Sequence, residues 1–153
     1  RLAYLARGGM IESGWDSYVL EAVAGSGAFD DEPLLKLHAR HDRLLSACRV
    51  LVDLDIHMGR MTEERAVNEL AEHAGIGEKQ SWQEVSALAA APSSSVGAFA
   101  GRLMVERWRN RFSSELGEKF SLKKFNDRLI RVSGLPPEMA EKRLNAALKR
   151  EKA

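Results

Sequence analysis

Cysteine, long apolar runs and net charge are all scarce in this sequence of 153 residues. Cys48 is the only cysteine, so no disulfide can form within the chain, and its apolar neighbours predict a buried, inert thiol. A reducing compartment fits this composition, which favours a cytoplasmic location. No apolar run approaches the roughly 20 residues of a membrane span, and the first residues lack the pattern of a signal peptide. We therefore expect a soluble chain without a membrane partner.

Basic and acidic residues nearly cancel, at 23 and 22, which gives a formal net charge of +1. No overall field therefore draws the chain to nucleic acid or to an anionic surface. The densest basic stretch, residues 102–111, carries four arginines around Trp108, but Glu106 and the nearby Glu115 dilute it. A solvated helix face is the preferred interpretation of this stretch, and we expect no nucleic-acid partner.

Apolar residues recur every three or four positions, the period of an amphipathic helix, and no segment alternates convincingly like a strand. Gly, Pro, Ser and Thr residues divide this pattern into segments. The predicted helices cover residues 2–24 with an interruption near 8–9, then 33–57, 63–73, 81–91, 96–116, 122–132 and 137–150. Since 44% of the residues are apolar, enough for one core, the sequence predicts an all-α, bundle-like single domain over residues 1–153 with six or seven helices.

The start of the chain suggests a piece of a longer protein. The first residue is Arg1 rather than Met, and a helical pattern begins at once without a capping residue. We therefore expect a cut or processed fragment.

Several segments, in order along the chain, resemble one bacterial family. Gly14-Trp15 with Tyr18 and Glu21 resembles a Glu-Gly-Trp-x-x-x-Tyr-x-x-Glu helix. Residues 49–59 resemble a helix ending in Arg-x-x-Val-Asp-x-Gly-x-His, and residues 62–67 resemble the helix start that follows it. Further on, Pro92 with Gly101 resembles Pro-x-Gln-Ala-x-x-Tyr-x-x-Gly, residues 116–127 resemble Leu-Gly-x-x-Phe-Asp-Leu-x-x-Phe-His-Asp, and residues 134–137 match the start of a last helix. The family is the bacterial domain of unknown function 885, which is zinc-metallopeptidase-like.

The resemblance implies that the chain is the C-terminal, all-helical part of such a protein. It also implies zinc in the full-length parent, bound by an upstream His-Glu-x-x-Pro-Gly-His-His motif that this sequence lacks, with the Glu before Gly-Trp completing the site. Here Ser13 holds that position, and Glu12 lies one residue earlier, about 100° around a regular helix. Other polar family positions hold Ser94, Ala98 and Asn126, and Asp55 replaces a glycine. Together these departures suggest lost or altered chemistry.

Four residues remain as candidate site residues. Glu12 is the candidate metal ligand, with a solvated helix carboxylate as the simpler interpretation. Arg49, Asp53 and His57 follow at four-residue spacing, which places them on one helix face. We interpret Arg49 and Asp53 as a substrate-carboxylate clamp, or alternatively as a salt-bridged face. His57 is the candidate catalytic group, contacting substrate or stabilising a transition state, although an imidazolium at a helix end also acts as a cap.

Two functions of different classes fit these observations. In the first, the chain is the helical C-terminal part of a zinc-peptidase-like protein, inactive when isolated and degenerate if the metal site is lost. Its partner is then the N-terminal portion of the same protein or a second chain. In the second, the chain is a non-catalytic module for protein interaction or homo-oligomerisation. No cofactor is expected for the chain alone. A metal site at His38 and His41 with Asp42 is a weaker alternative, because no further ligand has a compelling spacing.

Overall fold

The computed structural model describes residues 9–27 and 30–152, and in these residues every regular element is a helix. Residues 2–8 of the first predicted helix lie outside this range. The α-helices are α1 (Gly9–Ala24), α2 (Pro33–His57), α3 (Glu63–Ala74), α4 (Glu78–Ala90), α5 (Ser94–Leu116), α6 (Leu122–Val132) and α7 (Pro137–Lys152), with a 3₁₀ turn at Gly117–Lys119. The all-α, bundle-like prediction with six or seven helices is confirmed.

Short-range signals set most of the helix ends. The Thr62 hydroxyl accepts a hydrogen bond from the Arg65 amide at 3.3 Å, and the Ser121 hydroxyl accepts one from the Lys124 amide at 3.4 Å. Each hydroxyl satisfies an amide that the first helical turn leaves unpaired. Gly75 ends α3 in the left-handed region, at φ 65°, where glycine has no steric penalty.

Helix α4 begins three residues before its predicted start. Gly77 is extended and serves as the N-cap, so the helix begins at Glu78 and not at Ser81. In this register Ser81, Val85 and Leu88 are buried, whereas Trp82 keeps 37% of its surface exposed.

Two separate apolar clusters hold the helices together. Core A joins α1, α5, α6 and α7, and core B joins α2, α3, α4 and Ile76, which lies between α3 and α4. The buried members of core A are Ile11, Tyr18, Val105, Trp108, Phe112, Phe125, Leu129, Val132, Ala140, Leu144 and Leu148. Those of core B are Leu45, Val52, Ala66, Val67, Leu70, Ala74, Ile76, Val85 and Leu88.

Helices α1 and α5 cross at a pair of glycines. A Cβ atom added to Gly14 would lie 2.2 Å from the carbonyl carbon of Gly101, and one added to Gly101 would lie 1.7 Å from the Met10 carbonyl oxygen. Neither space admits a side chain, so the backbones touch directly. This crossing fixes the position of α1 on the rest of core A.

One side of α2 carries large apolar side chains that nothing in the described residues covers. We call this set the α2 seam. Its members, each at least 39% exposed, are Leu34, Leu37, Leu44, Leu51, Leu54 and Met58. No helix in the described part of the chain is both long and apolar enough to cross a membrane.

Candidate functional site

Asp53 lies at the junction of α2 and α5 and is almost fully buried, with 1% of its surface exposed. Its carboxylate accepts hydrogen bonds from the amides of Ser93 at 3.1 Å and Ser95 at 3.3 Å, and from the Ser95 hydroxyl at 2.5 Å. Those amides belong to the first turn of α5, where the helix dipole is positive. Asp53 therefore caps α5 from another helix.

The electrostatics of Asp53 follow from this capping role. Burial acts to raise the pKa of the carboxyl group, but the hydrogen bonds from Ser95 and Ser93 and the nearby His57 together outweigh it, and the pKa lies below its ordinary value. Ser93 has a left-handed backbone, φ 67°, which is unusual for a residue other than glycine. The carboxylate therefore stabilises a turn whose own backbone conformation is unfavourable.

His57, the last residue of α2, folds back onto Asp53. Its Nδ1 atom lies 2.8 Å from the Asp53 carbonyl oxygen and 2.9 Å from Asp53 Oδ1. The hydrogen bond to the backbone carbonyl raises the pKa of the imidazole above its ordinary value, with smaller contributions from the Ala89 carbonyl and the Asp53 charge. The structure thus brings His57 and Asp53 together as the helical spacing predicts.

Arg49, one turn before Asp53 on α2, pairs with Glu84 on α4. Its guanidinium donates Nε to Glu84 Oε2 at 2.8 Å and Nη2 to Glu84 Oε1 at 2.5 Å, a bidentate pair between α2 and α4. The Glu84 hydrogen bonds are the main cause of a raised Arg49 pKa. The same guanidinium borders a recess of about 300 Å³ that also has Ser17 and Ser94 in its wall.

Glu12 lies on α1 and borders a different recess from the one beside Arg49. It borders a recess of about 330 Å³ between α1 and α6, together with Ser13, Trp15 and Ile130. Ser13 and Glu12 therefore face the same space. Next to this recess, Trp15, Val19 and Ile130 help to line an apolar groove of about 460 Å³ along α1 and α6. We call it the α1–α6 groove.

The described residues do not make a zinc site by themselves. No group of three or more His, Cys, Asp or Glu side chains comes together within residues 9–27 and 30–152, whereas a protein zinc site needs at least three such ligands. In the α1–α6 recess the carboxylates are those of Glu12 and Asp16. His41, half of the weaker candidate pair, instead contacts the Ala74 carbonyl oxygen through Nε2 at 2.7 Å and so caps the end of α3.

A polar cluster that the sequence did not reveal lies between α1 and α5. Arg102 is 3% exposed and pairs with Glu106 at 2.7 Å and Glu21 at 3.5 Å, while its Nε atom has no hydrogen-bond partner among the described residues. Nearby, the Tyr18 hydroxyl donates to Asn126 Oδ1 at 3.1 Å. A polar recess of about 560 Å³ opens beside Tyr18, Glu21 and Glu106. The arginine-rich stretch was expected to be a solvated helix face. The sequence did not reveal the burial of Arg102, because that burial depends on how α1 crosses α5.

The same contacts bring the family-like segments together. Gly14 meets Gly101, Tyr18 meets Asn126, and Glu21 meets Arg102. Residues of three distant segments thus converge on one junction of α1, α5 and α6.

Comparison with known proteins gives a structural relative and a family for this chain. A solved protein from Colwellia psychrerythraea, described as a "putative lipoprotein", superposes with a TM-score of 0.86 at 25% sequence identity. The match covers 92% of this chain but 24% of that one, so the chain spans about a quarter of the length of this relative. No curated protein matches the chain. A family model described as "Bacterial protein of unknown function (DUF885)" matches residues 1–144, and the chain therefore belongs to that family.

Proposed function

We propose that this chain is the C-terminal helical part of a zinc-peptidase-like protein and forms one wall of a cleft that the rest of the parent completes. The observation that carries the proposal is the position of Glu12. Although Ser13 replaces the Glu of the family pattern, Glu12 and Ser13 border the same recess between α1 and α6. That Glu12 borders the same recess as Ser13 supports its role as a displaced ligand.

In this proposal the chain supplies a single metal ligand, Glu12, and the parent supplies the histidines. When bound, zinc would supply a Lewis acid for the scissile carbonyl and an activated water. The chain's own residues hold α1 in place: the contact between Gly14 and Gly101 leaves α1 no room to shift on α5. We expect no peptide hydrolysis by the isolated chain.

The remaining candidates are assigned to substrate contact. His57 keeps 29% of its side chain exposed, and its Nδ1 is held by Asp53, so it is the proposed catalytic group of the α2 end. Arg49 and Asp53 are the proposed substrate-binding pair, in which Arg49 contacts the substrate carboxylate and Asp53, which is 1% exposed, has only a supporting role. For Arg49 to bind a substrate carboxylate, the incoming group must share or displace Glu84, which now occupies its Nε and Nη2.

The occupied state of Arg49 and Asp53 also favours the second candidate function, a non-catalytic interaction module. Both side chains already have complete structural roles, one between α2 and α4 and the other at the start of α5. In a degenerate relative, these roles alone explain why the residues are present. The two candidates differ in whether the parent binds zinc.

The test is the metal content of the full-length parent, purified without chelator, beside a Glu12→Ala variant. Glu72, an exposed carboxylate on α3, provides the matched control as Glu72→Ala. We expect stoichiometric zinc in the parent and in Glu72→Ala, and its loss in Glu12→Ala. A parent without zinc would refute the peptidase-like proposal and favour the interaction module. Zinc retained in Glu12→Ala would refute the role of Glu12 alone.

A further inference from the structure

The α2 seam has the spacing of a helix-pairing surface. Leu37, Leu44, Leu51 and Met58 are each seven residues apart, and a seven-residue apolar repeat keeps side chains on one face along a supercoiled helix pair. Their exposure is high, 65% for Leu51 and 61% for Met58, while the neighbouring Leu45 and Val52 are buried in core B. The helix therefore has a second apolar face in addition to the one that packs inside.

Contiguous apolar surface of this extent marks an interaction site. The α2 seam runs from Leu34 to Met58, nearly the full length of α2. It is bordered by basic side chains near its first half. Lys36 and Arg43 pair with Asp30 and Glu21, whereas Arg40 is exposed and has no ion pair within the described residues. A partner for this surface needs apolar residues at heptad spacing and a carboxylate opposite Arg40.

We infer that the α2 seam binds a helix of the parent protein that lies outside this chain, an amphipathic helix with an acidic residue facing Arg40. This inference rests on the proposal that the chain is part of a longer protein. Two observations favour this occupant over a second copy. The relative that matches 92% of this chain is about four times its length, since the match covers 24% of it. Moreover, the α1–α6 groove exposes a further apolar surface beside core A, and one contact between two copies on α2 would leave that groove uncovered.

Methionine oxidation in the full-length parent tests the inference. Met58 lies in the α2 seam, and Met139, on α7 and 50% exposed, is a reference methionine outside it. Sulfoxide formation follows exposure, and a helix bound to the α2 seam would cover Met58. We therefore expect Met58 to be oxidised less in the native, monomeric parent than in the denatured parent. Mass spectrometry of the labelled peptides measures the difference. The oxidation of Met139 in the same sample measures the oxidant dose.

A charge placed in the α2 seam should restore the oxidation of Met58. Leu51→Asp in the parent is expected to do so, whereas Leu103→Asp, at a 44% exposed position on α5, should leave Met58 protected. Oxidation of Met58 in the native parent at the denatured rate would overturn the inference. Protection only at concentrations where the parent dimerises would also overturn it and identify a second copy as the occupant. Met58 oxidation does not depend on zinc in either experiment. A failure of the proposed metal role of Glu12 would therefore leave this result unaffected.

Discussion

At the scale of single residues, Asp53 shows how one side chain can serve a helix to which it does not belong. Its carboxylate accepts three hydrogen bonds from Ser93 and Ser95 while almost fully buried. Sequence spacing places it correctly beside His57, but the bonds to α5 join residues 40 and 42 positions apart. A capping contact of that range depends on tertiary packing, which no local pattern encodes.

Replacing Asp53 should destabilise the chain substantially. Asp53→Ala leaves the amides of Ser93 and Ser95 and the Ser95 hydroxyl without their acceptor, and we expect a loss of about 3 kcal/mol in the free energy of unfolding. Ser95→Ala removes one donor and should cost about 1 kcal/mol. Urea titration of the three proteins near neutral pH measures both losses. If Asp53→Ala were as stable as the unsubstituted chain, water would be replacing the cap.

The same group makes stability depend on acid. Because the pKa of Asp53 is lowered in the folded state, its contribution is complete above the unfolded pKa of about 4 and is lost as the pH falls through the lower folded pKa. We expect Asp53→Asn to flatten the decrease in unfolding free energy below pH 4, measured by urea titration across that range. An unchanged slope would assign the acid sensitivity to other carboxylates.

At the scale of helices, the crossing of α1 and α5 is the contact most sensitive to an added methyl group. Gly101→Ala would place a Cβ 1.7 Å from the Met10 carbonyl oxygen, so the helices must separate, at a cost of about 3 kcal/mol or more. Gly97→Ala on the same helix meets nothing within 4 Å and should stabilise α5 by about 0.5–1 kcal/mol. Thermal unfolding of both variants decides the comparison. A neutral Gly101→Ala would contradict the direct backbone contact.

Most helix bounds follow from local chemistry, and the departures follow from contacts between helices. The Thr62 and Ser121 caps and the ends near His57, Leu116 and Val132 agree with the prediction. Helix α5 instead begins at Ser94, two residues early, since Asp53 supplies its cap. The clustering of Glu21, Arg102 and Glu106 also escaped prediction, because it exists only once α1 lies on α5.

At the scale of the whole molecule, the described part of the chain exposes large apolar side chains, and the formal net charge of the sequence is close to zero. The α2 seam and the α1–α6 groove are both uncovered in the described residues, and a formal charge of +1 provides little repulsion between copies. The lack of a long apolar run predicted a soluble chain. Composition alone could not show how many of the leucines on α2 face outward.

Charged residues in the α2 seam should reduce the self-association of the isolated chain without unfolding it. We expect Leu37→Lys with Leu51→Lys to reduce self-association, measured by sedimentation, while changing the free energy of unfolding by less than about 0.5 kcal/mol. Leu45→Lys is the contrasting variant, because Leu45 is buried in core B, and should destabilise the chain strongly. Unfolding of the double variant would mean that the seam is part of the core.

The division into core A and core B has a consequence for how the chain opens. Each core is closed by its own helices, and the buried links described between α2 and α5 include the polar bonds of Asp53. Such an arrangement favours two units that exchange their amide hydrogens at separate free energies. We expect the segment with α2, α3 and α4 to open separately from α1, α5, α6 and α7, and protonation of Asp53 to weaken the link between the two units.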